Sequence, residues 1–487
     1  MRSINKLFSP VLLTALTAVS SPSFAGYMEG SSSLDSALNS VSVQNIKADI
    51  NFIASDELQG RDTPSRGLKI AARYIRARLS ALGLEPGADG SYFYEYPLDM
   101  ARLDGDKTFA KFGGELLVPG VDYFGWFRAS EHLDVQGAMV WVGEETAGVF
   151  EEAAVQGKWA LTRGKDRKRS RSARRKAEKA GAIGVIRILP DESDDFAGFA
   201  TSIKRTFEGS VTYPRSSGKK TAEKKPSTPF IYMRESRVAE LLGRRLEDLK
   251  VGATFDTVFQ DKRVPDEEVT QVTLENVCGF WRGSDPVLAN EVIIISAHYD
   301  HIGMQGGEIN NGADDNGSGT TGLMALSEAL TTYGKLRRSV MVMWVSGEEK
   351  GLWGSKAWTQ NPWLPEGCRA VANINIDMIG RNAPDKLLIT PTQRHDAYNG
   401  LTKLAERLAP LEGFPELGDA DEYYQRSDHY NFRKNLDIPV AFLFSDVHED
   451  YHRPTDTPDK VDTDKISRVA RLVMRMLDAM QDDVLEL

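Results

Sequence analysis

The stretch "EVIIISAHYDHIG" (291–303) combines a structural signal with a chemical one. Its uninterrupted apolar run is typical of a strand that is buried on both faces. His298, Asp300 and His301 follow this run directly. The stretch therefore predicts a central strand whose carboxyl end presents imidazole and carboxylate groups.

Similar apolar runs recur after this stretch and alternate with helical patterns. They are "SVMVMWVS" (339–346), "VANINIDM" (371–378), "KLLIT" (386–390) and "IPVAFLF" (438–444). The last helical pattern places Ile466, Val469 and Leu472 on one face. Buried strands separated by helices predict an α/β fold, a three-layer α/β/α sandwich with a mixed, largely parallel sheet.

The length of 487 residues suggests two or three structural units. Residues 1–25 match a secretory signal peptide, with Arg2 and Lys6 before an apolar stretch and a small-x-small sequence ending at Ala25. Export to the periplasm or the medium is therefore expected. Residues 26–105 would form the first part of the catalytic domain and 263–487 the remainder, separated by an insertion of short strands at 106–262.

Composition excludes several classes of protein. A formal net charge of −10 argues against a nucleic-acid binder, and beyond the signal no apolar stretch is long enough to cross a membrane. The basic segments 163–179 and 214–228 lack interleaved aromatic residues and are interpreted as solvated surface. With only Cys278 and Cys368, a cysteine-based zinc site is excluded, and pairing of the two thiols stays open.

Residues with metal-binding and acid–base chemistry cluster after the predicted strands. They are His298, Asp300, Glu348, Glu349 and Asp377, joined by Asp315 in the loop "NNGADDNGSG" and by His448, Tyr451 and His452 after the last strand. In open α/β sheets the ligand site lies beyond the carboxyl ends of the strands. No lysine follows the glycines, which excludes a P-loop, and no HExxH motif is present.

The residue types complete the ligand set of a two-metal site. A pair of divalent ions needs one bridging carboxylate, with a histidine and another carboxylate for each ion. Two histidines and three carboxylates supply this set, and one glutamate is left over. The sequence therefore predicts a di-metal site with a free carboxylate beside it.

These motifs resemble those of the M28 zinc peptidases, in particular bacterial leucyl-type aminopeptidases with an inserted PA domain. The resemblance implies that 106–262 is the PA domain and that two Zn²⁺ ions are bound. It implies the metal ligands His298, Asp315, Glu349, Asp377 and His452, with Asp315 as the bridge. It also implies a cis peptide after Asp315.

The same resemblance gives catalytic roles to two residues. Glu348 would be the general base for a metal-bridged hydroxide, and Tyr451 would donate a hydrogen bond to the oxyanion. Asp300 and Asp456 are expected to orient the rings of His298 and His452. Asp428, His429 and His448 are candidates for the substrate pocket, and His301 is left without an assigned role; a structural role for these histidines is the alternative.

The sequence thus predicts a secreted di-zinc aminopeptidase that hydrolyses peptides with a free N-terminus, without a nucleic-acid partner or stable membrane insertion. A carboxypeptidase or dipeptidase on the same scaffold is the alternative, since the metal ligands alone do not determine whether the enzyme cleaves at the N-terminus or at the C-terminus of a peptide. An inactive PA-domain binding protein and a glutaminyl-cyclase-like enzyme are the remaining alternatives. Side-chain preference and oligomeric state stay open.

Overall fold

The structure is a computed structural model that describes residues 32–482, apart from 126, 128, 130–131, 146–147, 215–227 and 269. The predicted signal peptide and most of the basic loop 214–228 lie outside the described residues. None of the described helices combines the length and apolar character that crossing a bilayer requires. Cys278 and Cys368 are free thiols, so the pairing left open by the sequence does not form.

The described α-helices are numbered in chain order. They are α1 (Ser32–Ser40), α2 (Val43–Ile53), α3 (Arg66–Ala81), α4 (Val149–Glu152), α5 (Ser170–Lys179), α6 (Asp195–Glu208), α7 (Glu235–Leu242), α8 (Gly319–Tyr333), α9 (Trp353–Gln360), α10 (Gly400–Leu408), α11 (His429–Leu436) and α12 (Thr463–Ala479). Several begin with a side-chain cap; Ser65, for example, accepts a hydrogen bond from the backbone of Leu68 at the start of α3.

The described strands fall into two large sheets and one small hairpin. They are β1 (Glu85–Pro86), β2 (Phe93–Ala101), β3 (Phe109–Phe112), β4 (Glu115–Leu117), β5 (Leu133–Glu144), β6 (Trp159–Arg163), β7 (Gly184–Leu189), β8 (Ser210–Thr212), β9 (Phe230–Arg234), β10 (Thr254–Arg263), β11 (Thr270–Trp281), β12 (Glu291–His298), β13 (Met304–Gln305), β14 (Glu308–Ile309), β15 (Ser339–Val345), β16 (Arg369–Ile376), β17 (Leu387–Thr390), β18 (Leu417–Asp419) and β19 (Val440–Phe444).

The larger sheet has the strand order β18-β17-β19-β16-β12-β15-β11-β2-β8. Its centre is parallel: β12 pairs with β15 and β16, and β16 pairs with β19. Antiparallel pairs flank this centre, between β11 and β15 on one side and between β17 and β19 on the other. The expected mixed sheet is confirmed, with its parallel part concentrated in the strands whose ends carry the predicted site.

Helices cover both faces of this sheet. On one face Ile293, Ile295 and Trp344 pack in a core with residues of α3, α8 and α12. On the other face Ile294 and Met343 pack against Trp358 of α9 and Phe432 of α11. Because successive side chains of a strand point to opposite faces, a continuous apolar run fills both cores. The three-layer arrangement predicted from the sequence is therefore present.

The second sheet has the strand order β4-β3-β10-β5-β6-β7-β9 and its own core around Trp159, Ile186 and Phe259. All its strands lie between Phe109 and Arg263, close to the expected insertion at 106–262. β8, which falls in the same range, instead pairs with β2 of the larger sheet. That the insertion is a PA domain stays a prediction.

Candidate metal centre

The carboxyl ends of the parallel strands bring the predicted residues together. His298 ends β12 and lies in register with Val345, the last residue of β15. Glu348 and Glu349 follow β15 after a two-residue turn, and Asp377 directly follows β16. The parallel register therefore places an imidazole and three carboxylates at one edge of the sheet.

One group of ligand-type atoms consists of His298, Asp315 and Asp377. Nε2 of His298 lies 3.4 Å from Oδ1 of Asp315 and 3.2 Å from Oδ1 of Asp377. One ligand atom from each residue lies within 4.8 Å of the others, and all three residues are buried. Such a set of one imidazole and two carboxylates can hold a divalent cation.

A second group shares Asp315 with the first and adds His301, Glu349 and His452. Oδ2 of Asp315 lies 3.0 Å from Nε2 of His452, whereas its Oδ1 faces the first group. Nε2 of His452 is also 3.3 Å from Oε1 of Glu349. The two carboxylate oxygens of Asp315 thus point to different groups, which is the geometry of a bridging ligand.

The loop that carries Asp315 is fixed by backbone contacts. The carboxylate of Asp456 accepts hydrogen bonds from the backbone N–H groups of Asp314 and Asp315 at 3.0–3.2 Å. The structure therefore gives Asp456 a role in holding the loop of Asp315, rather than the expected contact with the His452 ring. The expected cis peptide between Asp315 and Asn316 is present.

Asp300 contacts two parts of the site. Its backbone carbonyl is 3.2 Å from Nδ1 of His298, closer than its carboxylate oxygen at 3.7 Å. The carboxylate accepts hydrogen bonds from the backbone N–H of Glu348 and from the hydroxyl of Thr63. Asp300 therefore fixes the backbone of Glu348 as well as the imidazole that it was expected to orient.

Glu348 stands beside the cluster and belongs to neither group of ligand-type atoms. Burial raises its pKa well above the usual range, the positive His298 opposes this, and the charges of Glu349 and Asp377 add to it. A carboxyl group with a raised pKa accepts and returns protons closer to neutral pH. Glu348 therefore has the position and the acidity of an acid–base group.

The remaining charges of the site lie on His452 and His298. Burial disfavours the charged form of His452, but the nearby carboxylates of Asp315 and Glu349 outweigh it and raise its pKa to about 10. Burial likewise opposes charge on His298, and Asp377 and Glu348 outweigh it, so its pKa is well above the ordinary value. Without a metal, protons on these rings balance the carboxylates.

Buried atoms without hydrogen bonds test whether a metal fits. Both ring nitrogens of His301, Oε1 of Glu349 and Nε2 of His452 are buried and make no hydrogen bond within the described part of the chain. Buried polar atoms normally have partners, so a cation is a natural one for these. The donor set is imidazole nitrogen and carboxylate oxygen, which suits zinc. The residues therefore fit the predicted metal.

Tyr451 lies at the edge of the same cluster. Its ring stacks on His452, with ring centroids 3.9 Å apart. Burial, reinforced by the charges of Asp315 and Glu349, raises the pKa of its hydroxyl well above the ordinary value. The hydroxyl therefore stays protonated at neutral pH and can act as a hydrogen-bond donor.

A pocket opens directly beside these groups. Its polar floor comprises His298, Asp315, Glu348, Asp377 and Tyr451, and its wall comprises Met378, Tyr423, Arg426, Phe442, Phe444 and Val447. The wall is mainly apolar and aromatic, with one arginine. The pocket therefore offers apolar contacts next to the cluster of charges.

The three predicted pocket residues lie outside this lining. Asp428 is buried and accepts a hydrogen bond from the hydroxyl of Ser355, and burial raises its pKa to about 7. His429 is buried and stacks on Phe442, with centroids 4.7 Å apart. Nε2 of His448 lies 3.2 Å from Oδ2 of Asp314. These three residues therefore contact other residues around the site and do not line the pocket.

Sequence reasoning missed two features of the site. It gave no role to His301, although "HYDH" places a second histidine three residues after His298. It also missed Phe442 and Phe444 in the pocket wall. Their alternation in "VAFLF" could have indicated that both point to the same face of β19.

The fold and the site together define an α/β protein with a candidate metal centre of the kind that hydrolases use. Comparison with known proteins narrows the class further. Residues 276–477 match the family model described as "Peptidase family M28". Over this range the chain is similar to the peptidase family M28, which is the resemblance that the sequence motifs indicated.

Individual relatives agree with this assignment. A "Probable leucine aminopeptidase" of Arthroderma otae is 31% identical over 202 residues, which cover 39% of this chain and 54% of the relative. The chain thus spans about half the length of the curated relatives it matches.

Two solved structures share the fold over most of the chain. An aminopeptidase from Aneurinibacillus sp. strain AM-1 covers 93% of this chain and 98% of its own, with a TM-score of 0.54 and 22% identity. BSAP, a zinc aminopeptidase from Bacillus subtilis, covers 91% and 95%, with a TM-score of 0.56 and 19% identity. At these identities the likeness shows the fold alone.

Proposed function

We propose that the protein is an exported di-zinc aminopeptidase that removes N-terminal residues from peptides. The proposal rests on the geometry of Asp315, whose two carboxylate oxygens face two separate sets of ligand-type residues. Relatives described as probable leucine aminopeptidases support the same activity.

The proposed ligands are divided between two metal positions. His298 and Asp377 would hold one zinc ion, Glu349 and His452 the other, and Asp315 would join them. Bound zinc ions lower the pKa of water and polarise a scissile carbonyl. All five residues would have to be deprotonated when the ions are bound.

The chain's own residues would then carry the proton transfers and the binding. Glu348 is positioned to accept a proton from the attacking water and to return it to the leaving amine. The hydroxyl of Tyr451 is positioned to donate to the oxygen on which negative charge develops. The backbone N–H of Glu348 donates to the carboxylate of Asp300. This hydrogen bond keeps Glu348 in place and leaves the carboxylate of Glu348 free for proton transfer.

The pocket supports cleavage next to an apolar N-terminal residue. Met378, Phe442 and Phe444 offer apolar contacts beside the cluster. Of the acids in the same pocket, Glu348 is the one that the proposal leaves free of metal, and its carboxylate can attract a substrate ammonium group. A peptide with a free N-terminus and a leucine-like first residue matches both features.

One observation favours the alternative carboxypeptidase activity. Arg426 lines the same pocket, and a guanidinium group could bind a terminal carboxylate. This side chain is exposed to solvent. Exposure would weaken its pairing with a terminal carboxylate, because exposed ion pairs contribute little.

Two predictions from the sequence belong to this proposal. The N-terminal pattern of residues 1–25 supports export to the periplasm or the medium. The separate seven-stranded sheet supports an inserted PA domain at 106–262, which would stand beside the catalytic domain as an accessory unit.

Matched peptides test the activity and its polarity. Leucyl peptides with a free or an acetylated N-terminus, and with a free or an amidated C-terminus, would be incubated with the protein and the products identified by mass spectrometry. Loss of cleavage on acetylation alone supports the aminopeptidase. Loss on amidation alone supports the carboxypeptidase and contradicts the proposal, as does cleavage that resists removal of metal by a chelator.

A further inference from the structure

His301 is the one residue of the metal cluster to which the predicted ligand set gives no role. Its side chain is fully buried. Nδ1 lies 2.9 Å from Oε1 of Glu349 and 3.7 Å from Oδ2 of Asp315. Neither ring nitrogen has a hydrogen-bond partner among the described residues, so the close approach to Glu349 lacks hydrogen-bond geometry.

We propose that His301 is a fourth protein ligand at the metal position of Glu349 and His452, so that the two metal positions of the proposed function are unequal. One position would have four protein ligands, namely His301, Asp315, Glu349 and His452. The other would have three, namely His298, Asp315 and Asp377. The inference rests on the proposed metal pair and adds the order and geometry of its binding.

The separations between the ligand atoms agree with a tetrahedral ion. Zinc bound by nitrogen and oxygen at about 2.0–2.1 Å has tetrahedral ligand atoms about 3.3 Å apart. The four separations between histidine nitrogens and carboxylate oxygens are 2.9, 3.7, 3.0 and 3.3 Å, from the pairs His301–Glu349, His301–Asp315, His452–Asp315 and His452–Glu349. Their spread is centred on the value that a shared ion requires.

The surroundings hold the His301 ring in this orientation. Gly312, at a φ of 61°, lies against the ring, and a Cβ atom there would come within 2.5 Å of Cγ of His301. The backbone N–H of His301 donates to the carbonyl of Arg61 at 3.2 Å. A buried imidazole fixed between two carboxylates, with no hydrogen bond of its own, is suited to binding a cation rather than to orienting Glu349.

The unequal numbers of protein ligands predict different roles for the two metal positions. Structural zinc sites use four protein ligands, whereas catalytic sites use three and keep one position open for water or substrate. The His301 position would therefore bind its ion more tightly and load first. The His298 position would keep the open coordination site, which faces the pocket that His298 and Asp377 line.

Cobalt titration of the metal-free, full-length protein tests this inference. Co²⁺ replaces zinc, and a four-coordinate Co²⁺ ion absorbs visible light much more strongly than one with five or six ligands. We expect the native protein to take up two equivalents in two steps, with the strong absorption in the first. His301→Ala should weaken the first step by at least about tenfold and reduce its absorption.

His301→Gln keeps the volume of the side chain and guards against a folding defect in His301→Ala; circular dichroism would verify both variants. His132→Ala, which removes an exposed histidine just before β5, is the matched control and should titrate like the native protein. Native affinity and absorption in both His301 variants would overturn the inference, as would a native protein whose two equivalents bind indistinguishably. Neither outcome bears on peptide cleavage, which is measured separately.

Discussion

The backbone N–H of Glu348 donates to the carboxylate of Asp300 at 3.2 Å, while the backbone carbonyl of Asp300 lies 3.2 Å from Nδ1 of His298. One residue therefore ties the proposed base to the proposed metal ligand on the neighbouring strand. Because the contact with Glu348 uses the side chain and the contact with His298 uses the backbone, a side-chain substitution at Asp300 should disturb Glu348 more than His298.

Replacing Asp300 should slow turnover without removing the metal. Asp300→Ala removes the acceptor for the Glu348 amide, and residues that support metal ligands typically contribute 10–100-fold. We expect kcat to fall by about this factor while KM changes little. Asp300→Asn keeps one oxygen as an acceptor and should recover much of kcat; equal losses in both variants would contradict a positioning role.

Substitutions of the adjacent residues Glu348 and Glu349 should have different effects on metal content and turnover. Glu348→Gln should keep the native metal content and lose at least about 10²-fold in kcat, since general acid–base catalysis contributes about 10²–10⁴-fold. Glu349→Ala should lose metal as well as activity. Elemental analysis and steady-state kinetics on both variants, with the exposed Glu422→Gln as control, would measure the contrast. Equal metal loss in both would reject this division.

Metal binding should release protons and weaken as the pH falls. Without metal, the neighbouring carboxylates raise the pKa of His452 to about 10, against the effect of burial, so the ring holds a proton throughout the neutral range. A metal ion must displace this proton. For each proton displaced, the apparent metal affinity should therefore fall about tenfold for every unit by which the pH is lowered. Calorimetry in buffers of different ionisation enthalpy would count the protons. A heat independent of the buffer would refute this coupling.

Narrowing the pocket should change side-chain preference. Val447 lines the pocket and is 39% exposed, so a larger residue can be introduced there without disturbing a core. Val447→Phe should lower kcat/KM for leucyl anilides by about 10–200-fold, the range that pocket contacts of this size control. Alanyl anilides should be affected much less. Val287→Phe, at a 71% exposed position, is the matched control.

Arg61 should be important for stability. Its buried guanidinium donates to the backbone carbonyls of Ile53, Tyr299, Asn311 and Gly312. Arg61→Met leaves these acceptors without partners, which should cost at least about 3 kcal/mol of unfolding free energy. Denaturant unfolding would measure the loss. An exposed arginine such as Arg394→Met should have little effect, and an equal loss in both would reject the role of Arg61.

Local patterns were enough to predict the sheet and the strand-end residues. Continuous apolar runs identified β12, β15 and β16, and the parallel register then brought His298, Glu349 and Asp377 together. The cis peptide at Asp315–Asn316, expected from the resemblance, is also present. The catalytic and ligand roles of these residues stay predictions.

Other features depend on how distant segments meet. His301 joins the cluster because its loop folds back onto Arg61 and Gly312, and no periodicity in the sequence indicates this. Asp456 was expected at His452, but the chain returns it to the amides of Asp314 and Asp315. β8 leaves the inserted segment to pair with β2, a long-range contact that the boundary at 106–262 could not anticipate.

Anomalous diffraction at the zinc absorption edge tests the central claim most directly, because it locates each ion independently of activity. The account predicts two anomalous peaks in crystals of the zinc-loaded protein, about 3.5–4 Å apart, the usual separation in two-metal sites. One peak should lie between His298, Asp315 and Asp377, and the other between Asp315, Glu349 and His452. A single peak, or two peaks that Asp315 does not join, would contradict the account.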